Sequence, residues 1–232
     1  MQLTLYDWPP SPFSLKVRAV LEYKGLAYDR VPIISPKHWR KVRAEGKVGK
    51  APALLIDGKL FVDSTDICHE LDRRAPEPSI LPADPERRAL CHAIEEWSDE
   101  SLYFVGLYYQ WLDPAGRAMV PAAFGRSLAG RLAYHFYLRR VLAQLKGQGT
   151  SRKTPEHVRS DLERHLDALC DLIGPDGGYL LDARPRLCDF AVFGQLAYLG
   201  RTPAGASALA GRTALNDYVK RMKSLKQDKS GA

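Results

Sequence analysis

The chain has 232 residues, of which 45% are hydrophobic and 26% charged, enough apolar material for one large core or two smaller ones and too much for a disordered or collagen-like polymer. Its 34 basic and 27 acidic side chains leave a formal charge of +7, which suits small anions, lipid headgroups or nucleic acid, so the placement of charge matters more than its sum. No stretch approaches 18 consecutive apolar residues, and the opening MQLTLYDWPPSP lacks both a basic and an apolar leader segment, which argues against a membrane span or secretory signal and makes the cytoplasm the expected location.

Residues 2–6 alternate polar and apolar up to Trp8-Pro9-Pro10, the pattern of a short strand entering a turn. Phe13, Val17, Val20 and Leu21 share one helical face, and Lys24-Gly25 supplies a stop, predicting a helix over 12–24. Residues 28–34 read as a strand that Pro32 confines to an edge or irregularity. Residues 36–50 form the densest basic stretch, with Lys37, Arg40, Lys41, Arg43, Lys47 and Lys50 against Glu45 alone. Asp57-Gly58 between the apolar runs 53–56 and 60–62 marks a tight hairpin, and Ser64 is placed to cap a helix carrying Ile67, Cys68 and Leu71 on one side.

Residues 76–85 hold four of the sixteen prolines and resist helix and strand alike, so the domain division falls there: 1–76 an α/β domain, 77–85 a linker, 86–225 an all-helical domain, and 226–232 a frayed tail. The helical domain divides into 86–112, 117–146, 154–173, 187–200 and about 206–224. The third is best delimited, with Thr154 as cap, Pro155 at the first helical position, and Gly174-Pro175 as stop. Cys68, Cys91, Cys170 and Cys188 contain no C-x-x-C pair and read as free thiols; the six histidines show no zinc-ligand spacing, so no metal site is expected.

The order βαβ then ββα, with Ala51-Pro52 just before the third strand and an all-helical remainder, resembles a thioredoxin-like domain followed by a helical one, the architecture of the cytosolic glutathione S-transferase superfamily. The resemblance covers essentially the whole chain. It is carried by Ser11-Pro12-Phe13-Ser14 with Lys16-Val17-Arg18, by Gly49-Lys50-Ala51-Pro52-Ala53-Leu54, and by Asp63-Ser64, in that order. The segment 147–193, especially Pro185 and Asp189 to Gly194, is similar to the metaxin and failed-axon-connections relatives, whose members are not generally established transferases. Arg186 stands where the family usually has a Ser/Thr helix cap, and Asp189 is kept.

The resemblance implies glutathione as co-substrate. Ser11-Pro12-Phe13-Ser14 stands where redox relatives carry C-P-F-C, so disulfide cycling at this loop is lost. A thiol of pKa near ~8.5 is only about 3% ionised at pH 7, and a depression of roughly two units, about 2.7 kcal/mol, makes it mostly thiolate. A helix N-terminus and a donating hydroxyl supply such a bias, a task the resemblance gives to Ser11, with Ser14 as alternative and Tyr6 as a weaker one. Against this stands a plain capping role for Ser11. The resemblance further implies glutathione contacts from Phe13, His38, Lys50, Ala51, Pro52, Asp63 and Ser64, with Ala51-Pro52 in the cis form and its backbone pairing with the peptide. Tyr103, Tyr108 and Trp111 are candidates for the apolar second-substrate site, although aromatic residues at helical spacing also serve as core.

The expected function is conjugation of the glutathione thiolate to an electrophilic, partly apolar small molecule, in a homodimer. A non-catalytic binding or scaffold protein and a glutathione-dependent isomerase or etherase are the alternatives. Neither nucleic acid nor membrane is expected as a partner, because no aromatic platform is interleaved with the basic residues and no apolar span exists.

Overall fold

The computed structural model describes residues 1–33, 36–46, 50–173 and 177–225. Ile34, Lys47, Gly49, Gly174-Pro175 and the tail 226–232, all part of the expectations above, lie outside the described residues.

Four short strands form one mixed sheet: β1 (Leu3–Asp7), β2 (Asp29–Pro32), β3 (Ala53–Ile56) and β4 (Lys59–Val62), in the order β2-β1-β3-β4. β2 runs parallel to β1 at the sheet edge, where a strand containing Pro32 costs no ladder bond, and β3 and β4 are antiparallel to their neighbours. Asp57 (φ 47°) and Gly58 (φ 86°) make the tight β3–β4 turn. Leu3 and Leu5 of β1 point into the main core with Val17, Val20 and Leu21 of α1 (Pro12–Tyr23), while Tyr6 points to the other face, under α2 (Pro36–Gly46), beside Val42.

Asp63, with φ 79°, is the N-cap of α3 (Ser64–Arg74), accepting the Thr65 N–H at 3.0 Å; the expected cap Ser64 is instead the first helical residue. The shift has a simple cause: an Asp carboxylate one residue earlier already supplies the oxygen that the helix end needs. At the opposite end of the α/β part, the fully buried Lys24 ammonium binds Asp72 (2.6 Å) and the carbonyls of Ala75 (2.8 Å) and Pro78 (2.9 Å), fastening α1 to the end of α3 and to the proline-rich segment.

The rest is helical. The expected helix 86–112 is broken into α4 (Pro85–Trp97), a π-type segment Ser98–Leu102, and α5 (Tyr103–Trp111). The expected helix 117–146 becomes α6 (Pro114–Met119), a 3₁₀ segment Val120–Phe124, and α7 (Leu128–Gln148), because Gly125 at φ 75° stops the chain and Ser127 caps a new start. After a short 3₁₀ segment Thr150–Arg152 come α8 (Pro155–Ile173) and α9 (Leu187–Leu199). The last expected helix splits into α10 (Pro203–Ala210), which Thr202 caps, and α11 (Thr213–Ser224), the break falling at Gly211-Arg212. Among the described residues, no helix is long and apolar enough to cross a membrane.

α9 is the central post of the helical part. Apart from Asp189 and Gln195 it is apolar, and only Ala197 of its thirteen residues is not buried, as expected of a helix enclosed on every side. It packs against α1 at Gly194, where a Cβ would stand 2.6 Å from the Pro12 carbonyl oxygen. At its start, Asp189 accepts the Arg186 N–H (2.8 Å), the Leu180 N–H (2.9 Å) and the Tyr218 hydroxyl (3.0 Å), so the acid half of the capping arrangement is intact. Arg186 does different work from a capping hydroxyl: its guanidinium binds Asp182 and the carbonyls of Ser79 and Leu81, tying the proline-rich segment to α9.

Candidate functional site

The strand register decides which segments meet. Tyr6 is opposite Ala53, and Ala53 is opposite Val62, so three stretches end side by side at one end of the sheet: the loop from β1 into Ser11, residues 50–52 ahead of β3, and Asp63-Ser64 after β4. The parallel partner β2 ends there too, Asp7 being opposite Pro32. The motifs that carry the sequence resemblance, spread from Ser11 to Ser64, therefore converge on one edge.

Ser11 is 6% exposed and caps α1, its Oγ accepting the Ser14 N–H at 3.3 Å. That bond uses an oxygen lone pair and leaves the hydroxyl proton available to a neighbouring anion, so capping and donation are compatible. Ser14 is fully buried, and its Oγ accepts the Trp8 N–H at 3.3 Å, which suits it to holding the loop. Tyr6 packs with Ile33, Val42 and Ala53 under α2 rather than against the first turn of α1. The Ala51–Pro52 peptide is cis and precedes the first paired residue of β3. Ser64 is 6% exposed and is the first residue of α3. A hydroxyl beside the backbone N–H groups of a helix N-terminus can donate to an anion.

Asp63 and Lys50 are both exposed. Burial raises the nearby Glu100 carboxyl, Glu96 and Asp99 reinforce the shift, and Lys50 opposes it, which brings the π-type segment within electrostatic reach of this edge. His38 on α2 holds its Nδ1 3.0 Å from the Pro32 carbonyl oxygen and its ring 6.0 Å from that of Tyr6.

On the helical side stands an aromatic wall. Phe13 meets Tyr103 edge-on at 4.8 Å, and Trp8 meets Tyr137 of α7 edge-on at 5.0 Å. Trp111 lies behind, 5% exposed, 5.2 Å from Tyr137 and donating its Nε1–H to the Tyr198 hydroxyl at 3.3 Å. Tyr108 takes no part in these contacts; its ring neighbours Tyr109. Of the three expected second-substrate residues, then, Tyr103 fronts the loop, Trp111 supports it, and Tyr108 is turned aside. Burial pushes the Tyr103 phenol up to about 12 and raises Tyr137 and Tyr198 as well, so all three stay protonated at neutral pH and can donate. A cavity of about 170 Å³ reaches Ser11 between Pro9, Pro12, Gly194, Tyr198 and Arg201. Arg201 sits 5.0 Å above the Tyr198 ring and binds the Pro10 carbonyl.

Sequence reasoning missed the charged cluster beneath. The Lys16 ammonium, 1% exposed, binds Glu95, Asp99 (2.8 Å) and the Thr65 hydroxyl (3.1 Å). Thr65 also donates to Glu95 at 2.5 Å, and Gln195 donates to Asp99 at 3.0 Å. One lysine thus joins α1, the first turn of α3, α4, the π-type segment and α9. Burial alone would lower the Lys16 pKa, but the charges of Asp99 and Glu95 outweigh it and the net shift is upward. The available signal was a lysine four residues from Val20, on the apolar stripe of α1. Asp7, 1% exposed, was missed too; it binds Arg18 (2.7 Å) and Arg30, fixing the end of β1 that feeds the Ser11 loop. Among the described residues His92, Glu95 and Glu96 offer ligand atoms within 4.8 Å of one another; Lys16 and Thr65 bind Oε1 of Glu95, while its Oε2 has no hydrogen-bond partner.

Comparison with known proteins agrees with this geometry. The sequence pattern of the glutathione S-transferase N-terminal domain matches residues 5–79. Protein LigF of Sphingobium sp. strain SYK-6 is 38% identical over 108 residues, which are 43% of this chain and 41% of LigF. A probable maleylacetoacetate isomerase 1 of Drosophila melanogaster is 35% identical over 98 residues, 40% of either chain. The matches therefore span about two fifths of these relatives' length. In three dimensions the crystal structure of the beta-etherase LigF superimposes with a TM-score of 0.66, at 23% identity, covering 97% of this chain and 99% of LigF. A glutathione S-transferase of Methylobacterium radiotolerans in complex with glutathione sulfonate superimposes with a TM-score of 0.67, at 23% identity, covering 98% of this chain and 94% of its own. Residues 5–79 thus belong to the glutathione S-transferase N-terminal domain family, and the chain as a whole has the glutathione S-transferase fold.

Proposed function

We propose that the chain is a glutathione-dependent enzyme that brings a thiolate onto an electrophilic carbon of a partly apolar, aryl-bearing small molecule and then expels a group from it, as in ether cleavage or isomerisation. The observation that carries this reading is the convergence of Ser11, Ala51-Pro52 and Ser64 on one sheet end, opposite the aromatic wall of Phe13, Tyr103, Trp8 and Tyr137. Plain conjugation, the first expectation from sequence, has less support than the isomerase and etherase alternative, because the relatives carry those names.

In this reading the γ-glutamyl carboxylate lies at the N-terminus of α3 against Ser64, the ammonium near Asp63, and the glycyl carboxylate near Lys50 and His38. The backbone of Ala51 pairs with the peptide, and Ser11 donates to the sulfur at the N-terminus of α1, with Phe13 beside it. The thiolate attacks the electrophilic carbon. In ether cleavage the C–O bond breaks and an aryloxide departs; in isomerisation the thiolate adds to a conjugated double bond, rotation follows, and the thiolate leaves again. Either path creates an oxyanion, and in this reading the protonated Tyr103 or Tyr137 phenol donates a hydrogen bond to it. A homodimer in the cytoplasm is part of the same proposal.

Calorimetric titration with millimolar glutathione, followed by assays of phenol release from an α-carbonyl aryl ether and of cis-to-trans conversion of an enone, tests it. Binding with turnover in either assay is expected. Binding with conjugation alone would return the expectation from sequence, and the absence of binding would leave a non-catalytic protein.

A further inference from the structure

Two of the four cysteines meet where α4 adjoins the first turn of α9, outside the site just described. The Cys188 backbone N–H donates to Cys91 Sγ at 3.4 Å, and the Cys188 thiol itself donates to Asp189 Oδ2 at 3.9 Å. Cys91 borders a cavity of about 390 Å³ whose other walls include His69, Arg88 and His92. The remaining two cysteines lack this setting. Cys68 is fully buried beside Lys16, and burial pushes its thiol up to about 12, while Cys170 lies half-buried on α8. Both thiols of the pair are 1% exposed or less, so a large oxidant does not reach them, whereas hydrogen peroxide fits the cavity that Cys91 borders.

We propose that Cys91 and Cys188 are a peroxide-oxidisable dithiol whose disulfide clamps α4 to the start of α9. The Cys91 thiolate attacks one oxygen of hydrogen peroxide; the O–O bond breaks, hydroxide leaves and takes up the thiol's proton as water, and Cys91 becomes a sulfenic acid. The Cys188 sulfur then attacks the Cys91 sulfur; the S–O bond breaks, and the second hydroxide leaves as water with the Cys188 proton. Two thiols are oxidised, one peroxide is reduced, and two waters form. The contacts of the pair suit the two roles: Cys91 borders the cavity and its sulfur accepts the Cys188 backbone N–H, which favours the thiolate, while the buried Cys188 thiol donates to Asp189 and keeps its proton until attack. Because α9 lies against the Pro12 carbonyl through Gly194, the clamp also stiffens the support of the first turn of α1.

The test treats the reduced full chain with excess hydrogen peroxide and maps peptides by mass spectrometry without reduction. A Cys91–Cys188 linked peptide pair, lighter by two hydrogens and separated by dithiothreitol, is expected, together with a raised thermal midpoint of the oxidised form. A folded protein whose Cys91 stays free, or ends as sulfinic acid without a link to Cys188, overturns the proposal, as does a linked form with an unraised midpoint. A Cys188→Ser variant should instead accumulate a sulfenic acid at Cys91 that dimedone traps; the wild-type peptide map decides the question if that variant does not fold.

Discussion

Ser11 has two separable tasks, and two substitutions tell them apart. As an acceptor it caps α1 through the Ser14 N–H at 3.3 Å; as a donor it would hold the glutathione sulfur. Ser11→Ala removes both, whereas Ser11→Gly keeps most of the capping preference and removes only the donor. The capping bond is at the long end of the range, so its loss should cost the alanine variant about 0.5–1 kcal/mol and the glycine variant a few tenths. A hydrogen bond to a charged group contributes about 1.5–3 kcal/mol, which equals about 1–2 units in the pKa of the bound thiol. Both variants should therefore lose about 10–100-fold in kcat/KM at neutral pH. The assays are denaturant unfolding for stability and the pH profile of kcat/KM for activity. In the profile the limb reporting thiol ionisation should move upward by about 1–2 units in both variants, and rates should approach wild type in alkali, where the thiolate forms unaided. An unshifted profile, or activity that follows stability across the two variants, would refute the donor role and leave Ser11 a cap.

Three further outcomes follow from the same structure. Lys16→Met strands Glu95 and Asp99 in the interior and should cost about 3–5 kcal/mol by denaturant unfolding, most of it regained when Glu95→Met and Asp99→Leu are added; a loss under about 1 kcal/mol would show the cluster to be solvated. Ser64→Ala should change stability by less than about 0.5 kcal/mol, since Asp63 is the cap, yet weaken glutathione binding about ten-fold by calorimetry; a stability loss without a binding loss would make the hydroxyl structural. Burial raises the Asp189 carboxyl from its ordinary 3.8 to about 6, so this group's contribution to stability is fully present below about pH 4 and is lost as pH rises through about 6. That window amounts to about 3 kcal/mol, so unfolding titrations should show Asp189→Asn gaining on wild type by up to that amount between about pH 4 and pH 7, and a pH-independent difference would mean that the three donors keep the carboxylate ionised throughout.

What could be read from the sequence is what local rules govern. The strand–helix–strand start, the Asp57-Gly58 turn, the proline-rich break and the Thr154-Pro155 start of α8 each follow from a few adjacent residues, and each stands where the pattern puts it. The convergence of Ser11, Ala51-Pro52 and Ser64 was accessible only through the family resemblance, since the strand order that brings them together is not written in any one segment. Helix breaks were harder. Periodicity through 86–112 continues across the π-type segment, since the residues on both sides still turn an apolar face inward, and only the extra residue per turn changes the phase.

The groups that were not legible are those whose partners lie far along the chain. Lys16 is 79 residues from Glu95 and 83 from Asp99; Cys91 is 97 from Cys188; Arg186 is 107 from Ser79. A single charge or thiol in a helix carries no mark of such a partner, except that Lys16 occupies a stripe meant for apolar side chains, where an unpaired ammonium would be prohibitively costly. That conflict between pattern and residue is itself information: a helix that spends a core position on a lysine must be met by carboxylates from outside its own fold segment. The demand for Glu95 and Asp99 was thus latent in α1, and with it the requirement that α4 and the π-type segment pack directly beneath the turn that carries Ser11.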